Sequence, residues 1–134
     1  MEIKYLEKHD YSKEELKDLF LSVDWSSGNY PEKLVISMKN FKTVFSAYDD
    51  NKLVGMICVM DDGIMNAYIH YLLVNPKYQG MHIGKSLVEM VKEKYKDYLR
   101  IAVIGYHKAI NFYESCGFKK SDESYPLFIT SLWT

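Results

Sequence analysis

The sequence contains only two cysteines among its 134 residues, which excludes a framework of disulfides. Cys58 lies in the apolar run LVGMICVM and Cys116 lies near the predicted end of a helix, so both are expected to be reduced residues that pack in the core. Asp61-Asp62-Gly63 is typical of a turn between strands. No spacing of cysteine and histidine is typical of a metal site, and we predict that the protein binds no metal.

The sequence also lacks an excess of charge and a long apolar run. Seventeen basic against eighteen acidic residues argue against a surface that binds nucleic acid or an anionic membrane. No run approaches the ~18–20 apolar residues that span a bilayer, and the N-terminal residues lack the basic and then apolar pattern of a signal segment. We therefore expect one cytoplasmic domain over residues 1–134, with neither nucleic acid nor a membrane as partner.

Hydrophobic periodicity predicts six strands and four helices. The strands are expected at residues 2–7, 42–49, 52–62, 66–74, 98–105 and 126–134. The helices are expected at residues 12–23, 31–40, 83–95 and 107–116, the first with a capping box from Ser12 to Glu15. The order β-α-α-β-β-β-α-β-α-β predicts the α/β (α+β) class, with a mixed, mostly antiparallel sheet flanked by helices.

The stretch YQGMHIGK, residues 78–85, places two glycines between the fourth strand and the helix that follows. A helix N-terminus carries unpaired N–H groups and the positive end of the helix dipole, and Gly80 permits a ligand to approach closely. The stretch is one residue too short for a Walker A loop and lacks the GxGxxG of a dinucleotide-binding loop. It indicates either an anion site or an ordinary turn in which Gly84 serves only packing.

A second stretch, AINFYESCGF at residues 109–118, follows the predicted fifth strand. This stretch matches the motif A-x-x-F-Y-E-x-x-G-F. Earlier in the chain, Val74-Asn75-Pro76 matches the motif V-x-P, and residues 79–84 match [RQ]-x-x-G-x-[GA] at all but one position. The sequence thereby resembles the GCN5-related N-acetyltransferases (GNAT family), especially small bacterial members and plant-type serotonin N-acetyltransferases. His82 departs from the middle glycine of the loop motif, and diphosphate binding is expected to persist if its backbone is helical. Tyr106 lies three residues before Ala109, where members of the family often have an asparagine whose side chain contacts the cofactor.

The resemblance implies transfer of an acetyl group from acetyl-CoA to a primary amine, by direct attack through a tetrahedral intermediate. It implies a small-molecule acceptor, with Trp25 and Tyr30 lining its pocket, and a homodimer as a possible assembly. The residues implied to bind the cofactor are Leu72, Leu73, Val74, Gln79, Gly80, Met81, His82, Ile83, Gly84 and Lys85. The alternatives are a non-catalytic domain that binds or senses acyl-CoA, and an interaction module that uses the glycines only for packing.

The resemblance also implies one catalytic tyrosine, and the strand before the loop contains a histidine. Tyr113 matches the tyrosine that protonates or steadies the leaving thiolate, the alternative being a packing aromatic residue. His70 is the candidate base, because an unperturbed pKa of ~6.5 suits proton acceptance at neutral pH. A structural histidine, with deprotonation through water, is the alternative. Regular alternation places Tyr68, His70 and Leu72 on one face of the strand and Ile69, Tyr71 and Leu73 on the other.

Overall fold

A five-stranded sheet forms the centre of the computed structural model, which describes residues 2–134. The strands are β1 (Ile3–Glu7), β2 (Thr43–Asp49), β3 (Lys52–Asp61), β4 (Asn66–Val74) and β5 (Arg100–Val103). They lie in the order β1-β2-β3-β4-β5, and all neighbours are antiparallel except β4 and β5, which are parallel. The predicted mixed, mostly antiparallel sheet is confirmed.

Four helices cover the two faces of this sheet. They are α1 (Lys13–Ser22), α2 (Pro31–Asn40), α3 (Ile83–Lys94) and α4 (Ile110–Ser115). The predicted capping box begins α1, since the Ser12 hydroxyl accepts from the Glu15 N–H and the Glu15 carboxylate accepts from the Ser12 N–H. No helix within residues 2–134 is long and apolar enough to cross a membrane.

The apolar side chains of the helices divide into two cores, one on each side of the sheet. Leu16, Phe20 and Met38 from α1 and α2 pack on one face, and the buried, unpaired Cys58 of β3 belongs to this core. The apolar stripe of α3 packs on the other face, where the unpaired Cys116 is also buried. Burial of each such large side chain contributes about 1.5–3 kcal/mol to folding. The predicted core role of both cysteines is confirmed.

A β-bulge interrupts β4 at His70. Ile69 pairs with Val59 and Tyr71 pairs with Cys58, so His70 is an extra residue without a partner on β3. The bulge reverses the facing of the side chains that follow it: Ile69 packs in the α3 core, whereas Tyr71 and Leu73 pack in the α1 core. The regular alternation predicted for residues 68–73 is therefore wrong, because it assumed an uninterrupted strand.

The parallel strands β4 and β5 separate beyond their first four pairs. Residues Asn66 to Ile69 pair with Arg100 to Val103, whereas β4 continues to Val74 with only β3 beside it. The last residues of β4 therefore leave one edge of their backbone free. This divergence opens the sheet next to the start of α3 and positions the candidate site.

The last predicted strand, residues 126–134, is wrong. Beyond Ser115, the chain as described has no further helix or strand. Its start and end are both held by hydrogen bonds, from the Phe118 N–H to the Tyr113 carbonyl and from the Ser27 N–H to the Thr134 carbonyl. Between these anchors the segment forms no hydrogen-bonded pairs with a strand of the sheet. Its residues are typical of a strand, but without a neighbouring strand they do not form one.

Candidate active site

The loop from β4 to α3 presents a row of main-chain N–H groups that have no acceptor. Within residues 2–134, none of the N–H groups from Gly80 to Lys85 donates to a protein atom. The groups on either side are occupied, since the Gln79 N–H donates to the Pro76 carbonyl and the Ser86 N–H donates to the His82 carbonyl. Unpaired donors at the N-terminus of a twelve-residue helix form an anion-binding arrangement.

Two residues of this loop adopt left-handed backbone conformations. Gly80 has φ 84°, and a side chain added there would meet open space. His82, the residue before the first turn of α3, has φ 64° and ψ 15°. The backbone of His82 is therefore left-handed, and the helical conformation that the sequence analysis made a condition of diphosphate binding is not present, because the chain turns sharply at this residue before α3 begins. Histidine is among the residues that tolerate this region, and the His82 N–H stays unpaired.

Contacts with the ends of the strands hold the loop in place. The Tyr78 hydroxyl donates to the Asp49 carboxylate at 2.6 Å, and the Asn75 N–H donates to the Val54 carbonyl at 2.8 Å. The Gln79 side-chain amide donates to the Val74 carbonyl at 2.9 Å, so it ties the loop to β4 instead of presenting a free donor. The loop is thus rigidly placed beside the free edge of β4.

Gly84 lies in the first turn of α3, beside α4 and the end of β4. A side-chain carbon at Gly84 would lie 3.4 Å from the Phe112 ring and 3.8 Å from Val74, which are ordinary van der Waals distances. The space would therefore admit a methyl group, and the packing role of Gly84 stays a prediction. The loop, the end of β4 and α4 come together at this point.

Tyr113 lies on α4 with its ring against the end of β5. A side-chain carbon at Gly105 would approach this ring to 3.0 Å, so any other residue there would require the ring to shift by a few tenths of an ångström. Phe112 and Phe118 make edge-to-face contacts with the ring. Within residues 2–134 the Tyr113 hydroxyl has no hydrogen-bond partner, and burial raises its pKa to about 12. A phenol with this pKa keeps its proton at neutral pH and can donate it.

His70 lies at the bulge among aromatic rings. Its ring centre is 4.4 Å from that of Tyr71, 5.7 Å from Tyr68 and 5.8 Å from Phe41. Burial lowers the pKa of His70 from its ordinary value of 6.5. The imidazole is therefore neutral at pH 7, the form in which it can accept a proton.

The aromatic cluster continues from β4 to the loops on both sides. Trp25 lies 6.1 Å from Tyr71 and 6.2 Å from Tyr106, measured between ring centres. It therefore forms part of one wall with His70, whereas Tyr30 lies at the start of α2 and contacts none of the described rings. The sequence prediction did not include Phe41 and Tyr68 in this wall, although Tyr68 lies in the conspicuously aromatic stretch YIHY.

The Asp61-Asp62-Gly63 segment forms a turn, as predicted. One Asp62 carboxylate oxygen accepts from the N–H groups of Ile64, Met65 and Asn66. These bonds, with that from Asn66 foremost, lower the pKa of Asp62 far below its ordinary value. Within residues 2–134, no three His, Cys, Asp or Glu side chains are grouped so that they could hold a metal ion.

Comparison with known proteins assigns this architecture to a family. The model of the acetyltransferase (GNAT) family matches residues 6–118. The chain is 34% identical over 76 residues, 55% of its length, to GCN5-related N-acetyltransferase 2, chloroplastic, of Arabidopsis thaliana, and spans 30% of that protein. It is 29% identical over 119 residues, 85% of its length, to the uncharacterized N-acetyltransferase ycf52 of Gracilaria tenuistipitata var. liui, and spans 63% of that protein.

A solved structure has the same fold over nearly the whole chain. A GNAT-family acetyltransferase from Streptococcus pneumoniae TIGR4 superposes with a TM-score of 0.80 and 24% sequence identity, covering 97% of this chain and 99% of the other. The family match includes the loop with its free N–H groups, the bulged strand and the helix that carries Tyr113. The chain therefore belongs to the GNAT family of acetyltransferases.

Proposed function

We propose that this protein transfers an acetyl group from acetyl-CoA to the primary amine of a small molecule. The observation that carries the proposal is the row of unpaired N–H groups from Gly80 to Lys85, placed beside the free edge of β4. A diphosphate needs such donors, and the exposed Lys85 side chain adds a positive charge at the same place.

The free edge of β4 supplies a second contact for a CoA-like molecule. Leu72 to Val74 have β3 on one side only, so their outward main-chain groups are available to an extended ligand. The amide-containing arm of CoA is such a ligand and would bind there as an added strand. This arrangement would direct the thioester from the diphosphate loop toward Tyr113 and the aromatic wall.

The proposed chemistry uses two proton transfers. The amine nitrogen attacks the thioester carbonyl carbon to give a tetrahedral intermediate, and the proton that the nitrogen loses passes to His70, directly or through water. The carbon–sulfur bond then breaks, and the Tyr113 hydroxyl gives its proton to the sulfur. The side chains regain their starting protonation states by exchange with solvent.

The aromatic wall supports a small acceptor with an apolar body. The rings of Trp25, Tyr71 and Tyr106 lie close together, and Phe41 and Tyr68 extend the wall around His70. Aromatic faces bind apolar groups and attract ammonium ions. Amines attached to an aromatic or aliphatic body therefore fit this wall better than strongly anionic or sugar-like acceptors.

Two measurements on the purified protein test the proposal. Calorimetry with CoA and acetyl-CoA measures binding, and release of free thiol from acetyl-CoA is followed with a panel of arylalkylamines, polyamines, aminoglycosides, amino acids and peptides. We expect binding of both ligands and thiol release with one amine class. Binding without thiol release over the panel would indicate an acyl-CoA sensor instead, and no binding at millimolar ligand would leave only an interaction module.

The pH dependence of the reaction tests the role of His70. Because burial lowers the pKa of His70, kcat/KM should rise with pH through a region below 6.5, in addition to any rise caused by the amine itself. His70→Asn should remove that lower transition and reduce kcat/KM about 100-fold near pH 7. Measurement with two amines of different pKa separates the contributions, since only the transition of the enzyme stays at the same pH. An unchanged profile in His70→Asn would rule out His70 as the base.

A further inference from the structure

Thr134 is seated on the loop that follows α1. The Ser26 N–H donates to the Thr134 hydroxyl at 2.8 Å, and the Ser27 N–H donates to the Thr134 main-chain oxygen at 2.8 Å. The Ser27 hydroxyl donates to the same main-chain oxygen at 2.7 Å. Because Trp25 directly precedes these two serines, the bonds join Thr134 to the aromatic wall of the candidate site.

The Ser27 hydroxyl has a second partner, the hydroxyl of Tyr71, at 3.1 Å. Ser27 is only 3% exposed, and a hydroxyl buried to this extent needs hydrogen bonds. A serine hydroxyl has one proton to donate, and its lone pairs accept. Because the Thr134 main-chain oxygen can only accept, the Ser27 proton lies in the bond to Thr134, and the Ser27 oxygen accepts from Tyr71. The hydrogen bonds therefore run in one direction, from Tyr71 through Ser27 to Thr134.

This direction determines what the Tyr71 oxygen can offer to a ligand. Its proton is engaged by Ser27, and burial raises the pKa of Tyr71, so the phenol keeps that proton at neutral pH. Among residues 2–134 the Tyr71 hydroxyl has no further hydrogen-bond partner, so its oxygen retains the capacity to accept. Tyr71 therefore presents a hydrogen-bond acceptor, whereas the unpaired hydroxyl of Tyr113 presents a donor.

The bulge in β4 places this phenol beside the candidate base. In a regular strand, neighbouring side chains point to opposite faces of the sheet, whereas the ring centres of His70 and Tyr71 lie only 4.4 Å apart. The Tyr71 ring is also fixed by an edge-to-face contact with Phe20, at 4.9 Å and 90°, within the α1 core. The neutral imidazole and the phenol oxygen are thus two hydrogen-bond acceptors on consecutive residues of one strand.

We propose that the Tyr71 oxygen binds an N–H of the amine substrate and that Ser27 and Thr134 hold this oxygen in its accepting orientation. A primary ammonium group has three N–H donors, of which His70 and Tyr71 accept two while the aromatic rings contact the apolar body. After one proton has passed to His70, the N–H bonded to Tyr71 keeps the nitrogen lone pair directed at the thioester. The class of ligand rests on the proposed function, and Ser27 and Thr134 become positioning residues of the amine site.

Calorimetry with a pair of ligands tests this bond without any acetyl transfer. At pH 7, 2-phenylethylamine carries an ammonium group with N–H donors, and its N,N,N-trimethyl analogue has the same charge and ring but no N–H. The wild-type protein should bind the primary amine at least tenfold more tightly than the analogue. In Tyr71→Phe, which keeps the ring and removes the oxygen, this ratio should be at least fivefold lower. Tyr5→Phe, on β1 at the far edge of the sheet, should keep the wild-type ratio.

A double-mutant cycle tests whether Ser27 acts through Tyr71. Ser27→Ala frees the Tyr71 hydroxyl to rotate, so it should weaken binding of 2-phenylethylamine about threefold to tenfold in the wild-type background and less than twofold in Tyr71→Phe. Ser46→Ala is the matched control, since Ser46 is also buried and its hydroxyl donates to the Leu6 carbonyl of β1. Its affinity for the amine should equal that of the wild type. The ligand pair needs only Tyr71→Phe, so the test does not depend on the stability of Ser27→Ala.

Three results would overturn the role of Tyr71. They are no binding of 2-phenylethylamine at millimolar concentration, an unchanged ligand ratio in Tyr71→Phe, and an equal effect of Ser27→Ala in both backgrounds. Failure of acetyl transfer gives a different result, since the ligand ratio would respond to Tyr71→Phe while no thiol is released from acetyl-CoA. Where thiol release does occur, Tyr71→Phe should raise KM for the amine about tenfold and leave KM for acetyl-CoA unchanged.

Discussion

Replacing Tyr113 with phenylalanine is expected to lower kcat for acetyl transfer about 100-fold and to leave KM for acetyl-CoA nearly unchanged. The substitution removes the proton that the leaving thiolate needs but keeps the ring that packs on Gly105. Because the hydroxyl has no partner within residues 2–134, its loss leaves no buried group unsatisfied. The melting temperature should therefore stay within a few degrees of the wild-type value.

The pH dependence of the Tyr113→Phe variant tests the same role. The pKa of Tyr113 is raised to about 12, so the hydroxyl holds its proton throughout the range from pH 6 to 10. Tyr113→Phe should therefore lower kcat by a similar factor at every pH in this range, without moving either limb of the profile. Tyr5→Phe is a matched control, since Tyr5 lies on β1 at the opposite edge of the sheet. Wild-type kcat in Tyr113→Phe would show that the thiolate leaves without this acid.

Replacing Lys85 with glutamate is expected to weaken CoA binding about 10- to 100-fold or more while the fold stays as stable as before. Lys85 is the third residue of α3, the position that Glu15 occupies in α1. In α1 the Glu15 carboxylate accepts from the N–H of the residue before the helix at 2.8 Å. His82 has a left-handed backbone where Ser12 is extended, so the same bond is not assumed; a glutamate at 85 would instead place its carboxylate at the helix N-terminus, where it competes with the diphosphate for the unpaired N–H groups.

The expected magnitudes follow from charge and hydrogen bonding. Loss of a hydrogen bond to a charged group costs about 1.5–3 kcal/mol, which corresponds to about 10- to 100-fold in affinity, and the new negative charge repels the ligand further. The same charge at a helix N-terminus stabilises the helix by about 0.3–1 kcal/mol. Calorimetry with CoA and urea unfolding measure the two effects separately.

A second lysine provides the control for this experiment. Lys96 follows the end of α3, is exposed, and forms only a surface ion pair with Glu93. Lys96→Glu makes the same change of net charge without touching the N-terminal donors, so CoA affinity should stay within about twofold of wild type. If Lys85→Glu binds CoA as tightly as Lys96→Glu does, the free donors of α3 are not the diphosphate site.

The regular parts of the fold were predictable because local chemistry determines them. The capping box at Ser12, the proline that opens α2 and the apolar stripe of α3 each leave a periodic or positional pattern. The glycine-spaced start of α3 is also visible in sequence, since no ordinary helix start needs two glycines so close together. These features depend on neighbours within a few residues.

The features that sequence reasoning missed depend on distant partners. The bulge at His70 is set by the register between β4 and β3, and the stretch YIHYLLV is so uniformly apolar that no alternation reveals it. The left-handed backbone of His82 is set by how the loop reaches α3. Residues 126–134 have the pattern of a strand, but the pattern does not show whether the edge of the sheet lies close enough for this segment to pair with it. Tyr30 stays a predicted pocket residue: it is exposed just before α2, and its ring makes none of the ring contacts described around Trp25.

The extra residue in β4 belongs to the candidate site and is not needed by either core. Ile69 and Tyr71 pair with the adjacent residues Val59 and Cys58 and already face opposite sides, as neighbours in a regular strand do, so deletion of His70 would leave an uninterrupted strand in the same register. Ile69 would stay in the layer beneath α3, and Tyr71 and Leu73 would stay in the layer beneath α1. The imidazole can therefore be lost, together with its whole residue, without rebuilding the sheet around it.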